Sequence, residues 1–374
     1  MRDRLAAWRN RLVASPAFQR FAAGFPLTRP IATRQSQALF DLCAGFVYAQ
    51  ILAACVELGL FEMLEPEPLD LAGIASRTQL PEAAAVRLLD GAVALDLLER
   101  RAGGRYGLAM LGAALRGNPG IARMIAHHRL LYADLADPVG LLRGEGRPTR
   151  LEGFWDYATS ASPSDAAPDA VAAYSALMAD SQHFVADDLV AAHDFRRHRA
   201  VLDIGGGDGA FLRAIARHAP AATLTVFDLP AVAERATLRF AQAGLTDRAR
   251  AIGGDMHRDP LPGGADLVTL VRVLHDHDDD AVRALLTRLR QAMVPGATLL
   301  IAEPMAGLPG TARMADAYFG FYLLAMGSGR ARTPAELCAM LQRAGFTAVK
   351  PLATRRPLLM AAIVASVPDS TSVK

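Results

Sequence analysis

The segment Val201-Leu202-Asp203-Ile204-Gly205-Gly206-Gly207-Asp208-Gly209 narrows what this chain can fold into more than any other stretch. Residues 200–204 read as a short buried strand and 211–218 as the start of a helix, so the glycines form the turn between them. Without Cβ atoms, such a turn lets the backbone approach a ligand closely. A second apolar run, Leu224-Thr225-Val226-Phe227, ends in Asp228. In a parallel sheet that carboxylate lies at the carboxyl edge, where it can accept both hydroxyls of a ribose. The pattern asks for an α/β sheet and a nucleoside-bearing cofactor.

Two such cofactors compete. Gly205-x-Gly207-x-x-Ala210 formally satisfies the dinucleotide fingerprint, a weak signal by itself. Asp203, two residues before the first glycine, tips the balance: it would repel a pyrophosphate and attract the ammonium of a methionine moiety. S-adenosylmethionine is the expected cofactor, with Asp203, Gly205, Gly207 and Asp228 in its site. Strands expected at 200–204, 223–227, 249–253, 266–273, 297–302, 346–350 and 358–364 alternate with helices, among them 278–293 with Val282, Leu285, Leu286, Leu289 and Met293 at helical spacing. Residues 196–374 therefore read as a Rossmann-like cofactor-binding domain.

A chain of 374 residues suggests a second domain. Residues 36–125 read as mostly helical. Within them, helix, helix and a small hairpin around Gly103-Gly104 give a winged-helix outline. The second helix offers only Arg87 against Glu82, Asp90 and Asp96, and the chain's net charge is only +2, so neither case favours nucleic acid. An interaction domain fits better. Leu39, Phe40, Phe46, Val47, Ile51 and Leu52 exceed what a lone helix pair can cover, which predicts a homodimer built from the N-terminal half. Asp41, Gln50, Glu57 and Gly59 interrupt the apolar stretch 39–64, which reads as a pair of core helices and not a membrane span. Residues 126–195 read as a helical connector, with Phe154, Trp155 and Tyr157 as pocket or packing aromatics. Cys43, Cys55 and Cys338 are scattered through apolar segments and read as buried, reduced thiols of a cytoplasmic protein.

Residues 1–35 form a basic arm. Arg2, Arg4, Arg9, Arg11, Arg20, Arg29 and Arg34 face one acid, Asp3, with Leu5, Trp8, Leu12, Phe18, Phe21 and Phe25 interleaved. Leu5, Trp8 and Leu12 make a helical stripe suited to peripheral contact with a membrane interface. An arm that docks on the dimer partner with a solvated basic face fits equally. Pro26 and Pro30 are expected to end it.

A second constellation is Val271-Arg272-Val273-Leu274-His275-Asp276-His277-Asp278-Asp279-Asp280. His275 follows a strand, at the same sheet edge as Asp203 and Asp228. It can serve as a general base, as a metal ligand in His275-x-His277-x-Asp279, or as part of a polar helix cap with Asp278 and Asp279. The metal reading lacks a histidine after Asp279, where Asp280 stands, and no metal is expected.

Taken together, Asp203-x-Gly-Gly-Gly-x-Gly, Phe227-Asp228-Leu229-Pro230, Gly254-Asp255-Met256, Val273-Leu274-His275-Asp276, Glu303-Pro304 and Arg332-Thr333 with Ala344-Gly345-Phe346 resemble the acetylserotonin and caffeate type O-methyltransferases. The resemblance runs from about Ala38 to the end. It implies an intertwined homodimer, Asp228 on the ribose, Asp255 with Met256 around the adenine, Leu229 and Arg272 beside the cofactor, and His275 as base oriented by Glu303. Asp276, Met178, Phe319, Tyr322 and Met326 are the candidates to meet an apolar acceptor. The arm, with Phe25-Pro26-Leu27-Thr28-Arg29-Pro30, is similar to that of the bacterial branch that methylates hydroxylated carotenoids. Phenolic or polyketide O-methylation and bacteriochlorophyllide C-methylation are the neighbouring activities. Two departures stand out: His277 replaces the tryptophan that usually follows His-Asp, and Ala331 replaces the base's second acidic partner. The imidazole is therefore expected to be less firmly oriented and less basic.

Overall fold

The computed structural model describes residues 1–155, 182, 184–356 and 360–369. The chain divides into two compact units, Met1–Asn118 and Pro119–Lys374.

In the first unit, helices Arg2–Ala14 and Pro16–Gly24 precede one long helix, Arg29–Glu57. Pro30 does not end the arm as expected. It sits in the first turn of that long helix, where its missing N–H has no partner to lose. The stretch 39–64 does hold two helices, but only the second, Leu60–Leu64, is core as expected: Cys55 is the one buried residue of Arg29–Glu57, and Leu42 and Phe46 are 80% and 70% exposed. By length and apolar composition alone this helix could cross a membrane. Its C-terminal half instead packs on the rest of the unit, as where Ile51 lies against Gly91. Cys43 shares the open face, so it is exposed and not buried as expected, while burial pushes the Cys55 thiol up to about 12.

Helices Leu71–Thr78 and Glu82–Ala94 lead into an antiparallel hairpin, β1 (Leu98–Arg101) and β2 (Arg105–Leu108). Asp70 caps the first of these helices by accepting from Gly73 N–H at 2.8 Å. Gly103 and Gly104 turn the hairpin at positive φ, so the winged-helix outline is found as expected.

The second unit is built on a seven-stranded sheet. Its strands are β3 (Ala200–Ile204), β4 (Thr223–Asp228), β5 (Ala249–Gly253), β6 (Leu267–Val271), β7 (Thr298–Glu303), β8 (Thr347–Leu352) and β9 (Ala361–Ser366). The order is β5-β4-β3-β6-β7-β9-β8, parallel except at β9. Alternation along the strands feeds two cores. Leu202, Ile204, Leu299 and Ile301 pack with helices Asp279–Ala292 and Pro334–Arg343, whereas Val201, Leu300 and Ala302 pack with Ala210–Ile215 and Pro230–Gln242. The strand order reverses between β3 and β6, which opens a cleft at their carboxyl ends. Asp203, Asp228, His275 and Glu303 all lie along that edge.

Candidate active site

At the end of β3 the chain turns through Gly205, Gly207 and Gly209, all at positive φ. Gly205 N–H donates to the Phe227 carbonyl at 2.8 Å, tying the turn to β4. A Cβ on Gly205 would meet Val273 at 2.8 Å and one on Gly209 the Phe240 ring at 2.7 Å, but above Gly207 the space is open. Gly207 N–H donates to Asp228 at 2.8 Å, and Leu229 N–H to the other Asp228 oxygen at 2.8 Å. Burial outweighs those two bonds and pushes the Asp228 carboxyl up to about 6.

Asp203 is more demanding. It is fully buried; Thr269 Oγ1 donates to its Oδ1 at 2.6 Å, while Oδ2 has no partner among the described residues. Burial, opposed by the Thr269 bond and aided by the Asp228 charge, pushes it up to about 7. A buried acceptor left unpaired costs about 1–3 kcal/mol. A cationic group placed beside it would remove that cost. An orphaned carboxylate beside an open glycine floor therefore suits a cofactor that carries an ammonium and a ribose.

The next wall comes from β5. Gly254 N–H donates to the Asp228 carbonyl at 2.9 Å, and a Cβ on Gly254 would strike the Phe227 ring at 2.6 Å, so only glycine lets the chain pass. This brings Asp255, which is buried, and half-buried Met256 beside Asp228. The His257 ring packs edge-on against His277, with centroids 4.7 Å apart. Burial, then the neighbouring His257, His275 and Arg332, lowers His277 to about 3, so it is a neutral packing ring where the family tryptophan would stand.

His275 sits on a short 3-10 turn, Leu274–Asp276, just beyond β6. Arg272, which opens the turn, adopts φ +61°, an unfavourable region for a non-glycine residue, and donates its N–H to the Ala302 carbonyl at 2.8 Å. Glu303, buried at the end of β7, holds the turn: its Oε1 accepts from Val273 N–H at 2.9 Å and Leu274 N–H at 2.7 Å. Its Oε2 lies 2.6 Å from His275 Nδ1, which fixes the ring. The other ring nitrogen, His275 Nε2, is 3.2 Å from Asp276 Oδ1, so a second carboxylate lies beside the ring. Burial pulls the imidazole pKa down, but Asp276 and Glu303 outweigh it and the net shift is upward. The Phe319 ring stands edge-on to the imidazole at 5.7 Å.

A strap after residue 326 clamps this turn. Ser328 Oγ donates to the Asp276 carbonyl at 2.8 Å. Gly329, at φ +84°, lies so close to the His275 carbonyl that no side chain fits. Buried Arg332 donates to the Leu274 and His277 carbonyls at 2.7 Å each and to Asp279 at 2.9 Å, while Arg330 binds Asp279 through two 3.0 Å bonds. Asp279 is thus bound by arginines, and Asp278 accepts from Gly329 N–H instead of capping its helix as expected. The motif Arg332-Thr333 was a visible signal, but its carbonyl acceptors carry no sequence mark.

Of the acceptor candidates, Phe319 and Asp276 adjoin His275. Tyr322 and Met326 are buried in a cluster with Leu131, Leu141, Leu151 and Trp155. Tyr322 OH accepts from Trp155 Nε1 at 2.9 Å and lies 2.8 Å from His127 Nε2. Met178, Tyr157 and the loop at 160–168 lie outside the described residues. Tyr318, not anticipated, ends a π-helical turn, Arg313–Tyr318, and its hydroxyl lies 2.8 Å from His128 Nε2.

With this geometry in view, comparison with known proteins is decisive. The O-methyltransferase domain profile matches residues 132–347, and the O-methyltransferase dimerisation domain matches residues 40–117. The chain belongs to the S-adenosylmethionine-dependent O-methyltransferase family. It is 42% identical to the demethylspheroidene O-methyltransferase of Cereibacter sphaeroides over 96% of this chain and 94% of that one. Identity to the acetylserotonin O-methyltransferase of Mus musculus molossinus is 33%, covering 87% and 86%. Human N-acetylserotonin methyltransferase in complex with S-adenosylmethionine superposes with a TM-score of 0.73 at 27% identity, over 89% of this chain and 98% of that one. PigF with S-adenosylhomocysteine gives 0.70 at 25% identity, over 88% and 99%. The enzyme therefore combines the expected Rossmann-like methyltransferase sheet with an N-terminal dimerisation domain.

Proposed function

We propose that this enzyme methylates a hydroxyl of a membrane-soluble polyene, a 1-hydroxy carotenoid, using His275 as its base. The observation that carries the base assignment is the His275 Nδ1–Glu303 contact of 2.6 Å at the cofactor edge of the sheet. Support for the acceptor class is the 42% identity to demethylspheroidene O-methyltransferases from Cereibacter sphaeroides and Rhodobacter capsulatus, each across at least 95% of this chain.

When bound, S-adenosylmethionine supplies an electrophilic methyl group. The chain must then hold it, align an acceptor and accept a proton. In this reading the orphaned Asp203 oxygen takes the ammonium, Asp228 the ribose diol, and Asp255 with Met256, Leu229 and Arg272 complete the cofactor wall. A tertiary alcohol is far less acidic than a phenol, so His275 does not ionise it in advance. Nε2 receives the proton as the methyl transfers, and Glu303 stabilises the imidazolium from Nδ1. Phe319 shields the acceptor hydroxyl beside the ring.

The exposed apolar face of helix Arg29–Glu57, within a matched dimerisation domain, supports a homodimer. We place this dimer in the cytoplasm.

The test incubates purified enzyme with labelled S-adenosylmethionine and either a 1-hydroxy carotenoid in detergent, a set of soluble phenols, or a bacteriochlorophyllide. Labelled carotenoid product is expected. Phenol or bacteriochlorophyllide methylation with no carotenoid product would overturn the acceptor assignment.

A further inference from the structure

The helix Arg2–Ala14 has an unusual distribution of charge. At 3.6 residues per turn, Leu5, Trp8 and Leu12 share one stripe. Arg4 and Arg11 run along one edge of it and Arg2 and Arg9 along the other, leaving Ala7, Asn10 and Ala14 behind. Leu5 and Trp8 are 61% and 60% exposed, Leu12 is half-buried, and the four arginines are exposed. The following helix, Pro16–Gly24, adds Arg20 and an exposed Phe21 stacked on Phe25 at 5.3 Å, and Leu27 and Ile31 continue the apolar surface. Asp3 is the one acid in the first 35 residues.

We propose that this arm docks the enzyme on an anionic lipid surface. A helix lying flat in the headgroup layer buries an apolar stripe to a shallow depth and needs cations on both of its edges, where they reach lipid phosphates. Arginine suits that role because its guanidinium pairs with two phosphate oxygens while its stem lies along apolar surface. Trp8 sits mid-stripe, and an indole prefers such an interface, where its ring meets acyl chains and its N–H meets water. The charge complementarity is to a plane of phosphates. The inference deepens the acceptor reading, on which its purpose rests: a polyene dissolved in a bilayer must be met at the bilayer.

Flotation of the full-length enzyme with phosphatidylcholine vesicles, with and without one third phosphatidylglycerol, tests the proposal. Binding is expected with phosphatidylglycerol and should weaken as salt shortens the range of the surface charge. Arg4→Ala with Arg11→Ala should lower partitioning by about tenfold or more, since each arginine contributes about fivefold near such a surface. Tryptophan emission should shift to the blue on binding, and Trp8→Ala should abolish the shift. No flotation on anionic vesicles would overturn the docking. So would arginine variants that leave flotation unchanged, or that loosen the dimer in light scattering while the wild-type chain ignores vesicles, which assigns the arm to the partner subunit. Methyl transfer to detergent-dispersed carotenoid, measured on the same preparations, separates the two readings. Transfer without wild-type vesicle binding overturns the docking alone, and vesicle binding without carotenoid product overturns the acceptor alone.

Discussion

The two sides of the cleft are held in different ways. Around Asp228 the fixing contacts come from backbone groups, Gly205 N–H to the Phe227 carbonyl, Gly207 and Leu229 N–H to the Asp228 carboxylate and Gly254 N–H to the Asp228 carbonyl, and Thr269 Oγ1 is the side chain that reaches Asp203. Around His275 they are side chains reaching in from segments 28 to 58 residues away, Glu303, Ser328 and Arg332. Sheet register and glycine conformation set the first side, so it can change little without changing the fold. The second side depends on individual side chains, each of which can be exchanged while the sheet persists. Ala331 and His277 are such exchanges, and both fall on the second side.

The comparison breaks most visibly at Arg332. Arg332→Ala strips the buried Leu274 carbonyl and the His277 carbonyl of a donor and leaves Asp279 to its Arg330 hydrogen bonds. It should cost roughly 2–3 kcal/mol, from carbonyls that lose a charged donor. Denaturant unfolding checks the stability, and transfer rates should fall with it. A variant of wild-type stability would mean the clamp is not structural.

Asp228→Ala removes a charged acceptor from the backbone-held side. It should weaken S-adenosylhomocysteine binding by about 2–3 kcal/mol, measured by calorimetry, since hydrogen bonds to charged groups fall in that range. Unchanged affinity would remove Asp228 from the cofactor site. The same titration has a pH sign. Asp203 and Asp228, raised to about 7 and about 6, hold protons in the free enzyme that an unfolded chain has already released. Their shifts therefore cost stability as pH climbs through that window, and a bound cation offsets the cost. Affinity should rise with pH between those values, with proton release on binding.

A smaller effect sharpens the other side. The His275 imidazole is raised above 6.5, so it is neutral only above that pH, and if it takes the acceptor's proton the rate should rise through a limb on the alkaline side of it. Glu303→Gln removes one attracting charge and should move the limb down by about one to three units. A limb that does not move would leave Glu303 as packing alone.

Much of the backbone-held side was legible in the chain. A glycine-rich turn, two aspartates and short apolar runs prescribe strands and their edge, and β3 and β5 fall at the expected 200–204 and 249–253. Asp203 and Asp228 follow from position on those strands. On the side-chain-held half a strand end marks His275, and the family resemblance marks Glu303 and Arg332, but not the contacts they make. That Tyr322 and Met326 are buried in one cluster, or that Arg332 spans Leu274 and His277, depends on contacts between distant segments that no local period encodes. The exposed face of helix Arg29–Glu57 had the same cause: apolar spacing marks a surface to be covered, but not whether the cover comes from its own unit.

The most direct test of the account is to replace His275 and read both sides at once. In His275→Ala, single-turnover transfer from labelled S-adenosylmethionine should fall by about two to four orders of magnitude, the range of general acid–base help, while calorimetry with S-adenosylhomocysteine should give an affinity within error of the wild-type enzyme. Retained transfer would show that His275 is not the base, and a parallel loss of cofactor affinity would show that the two sides of the cleft are not held independently.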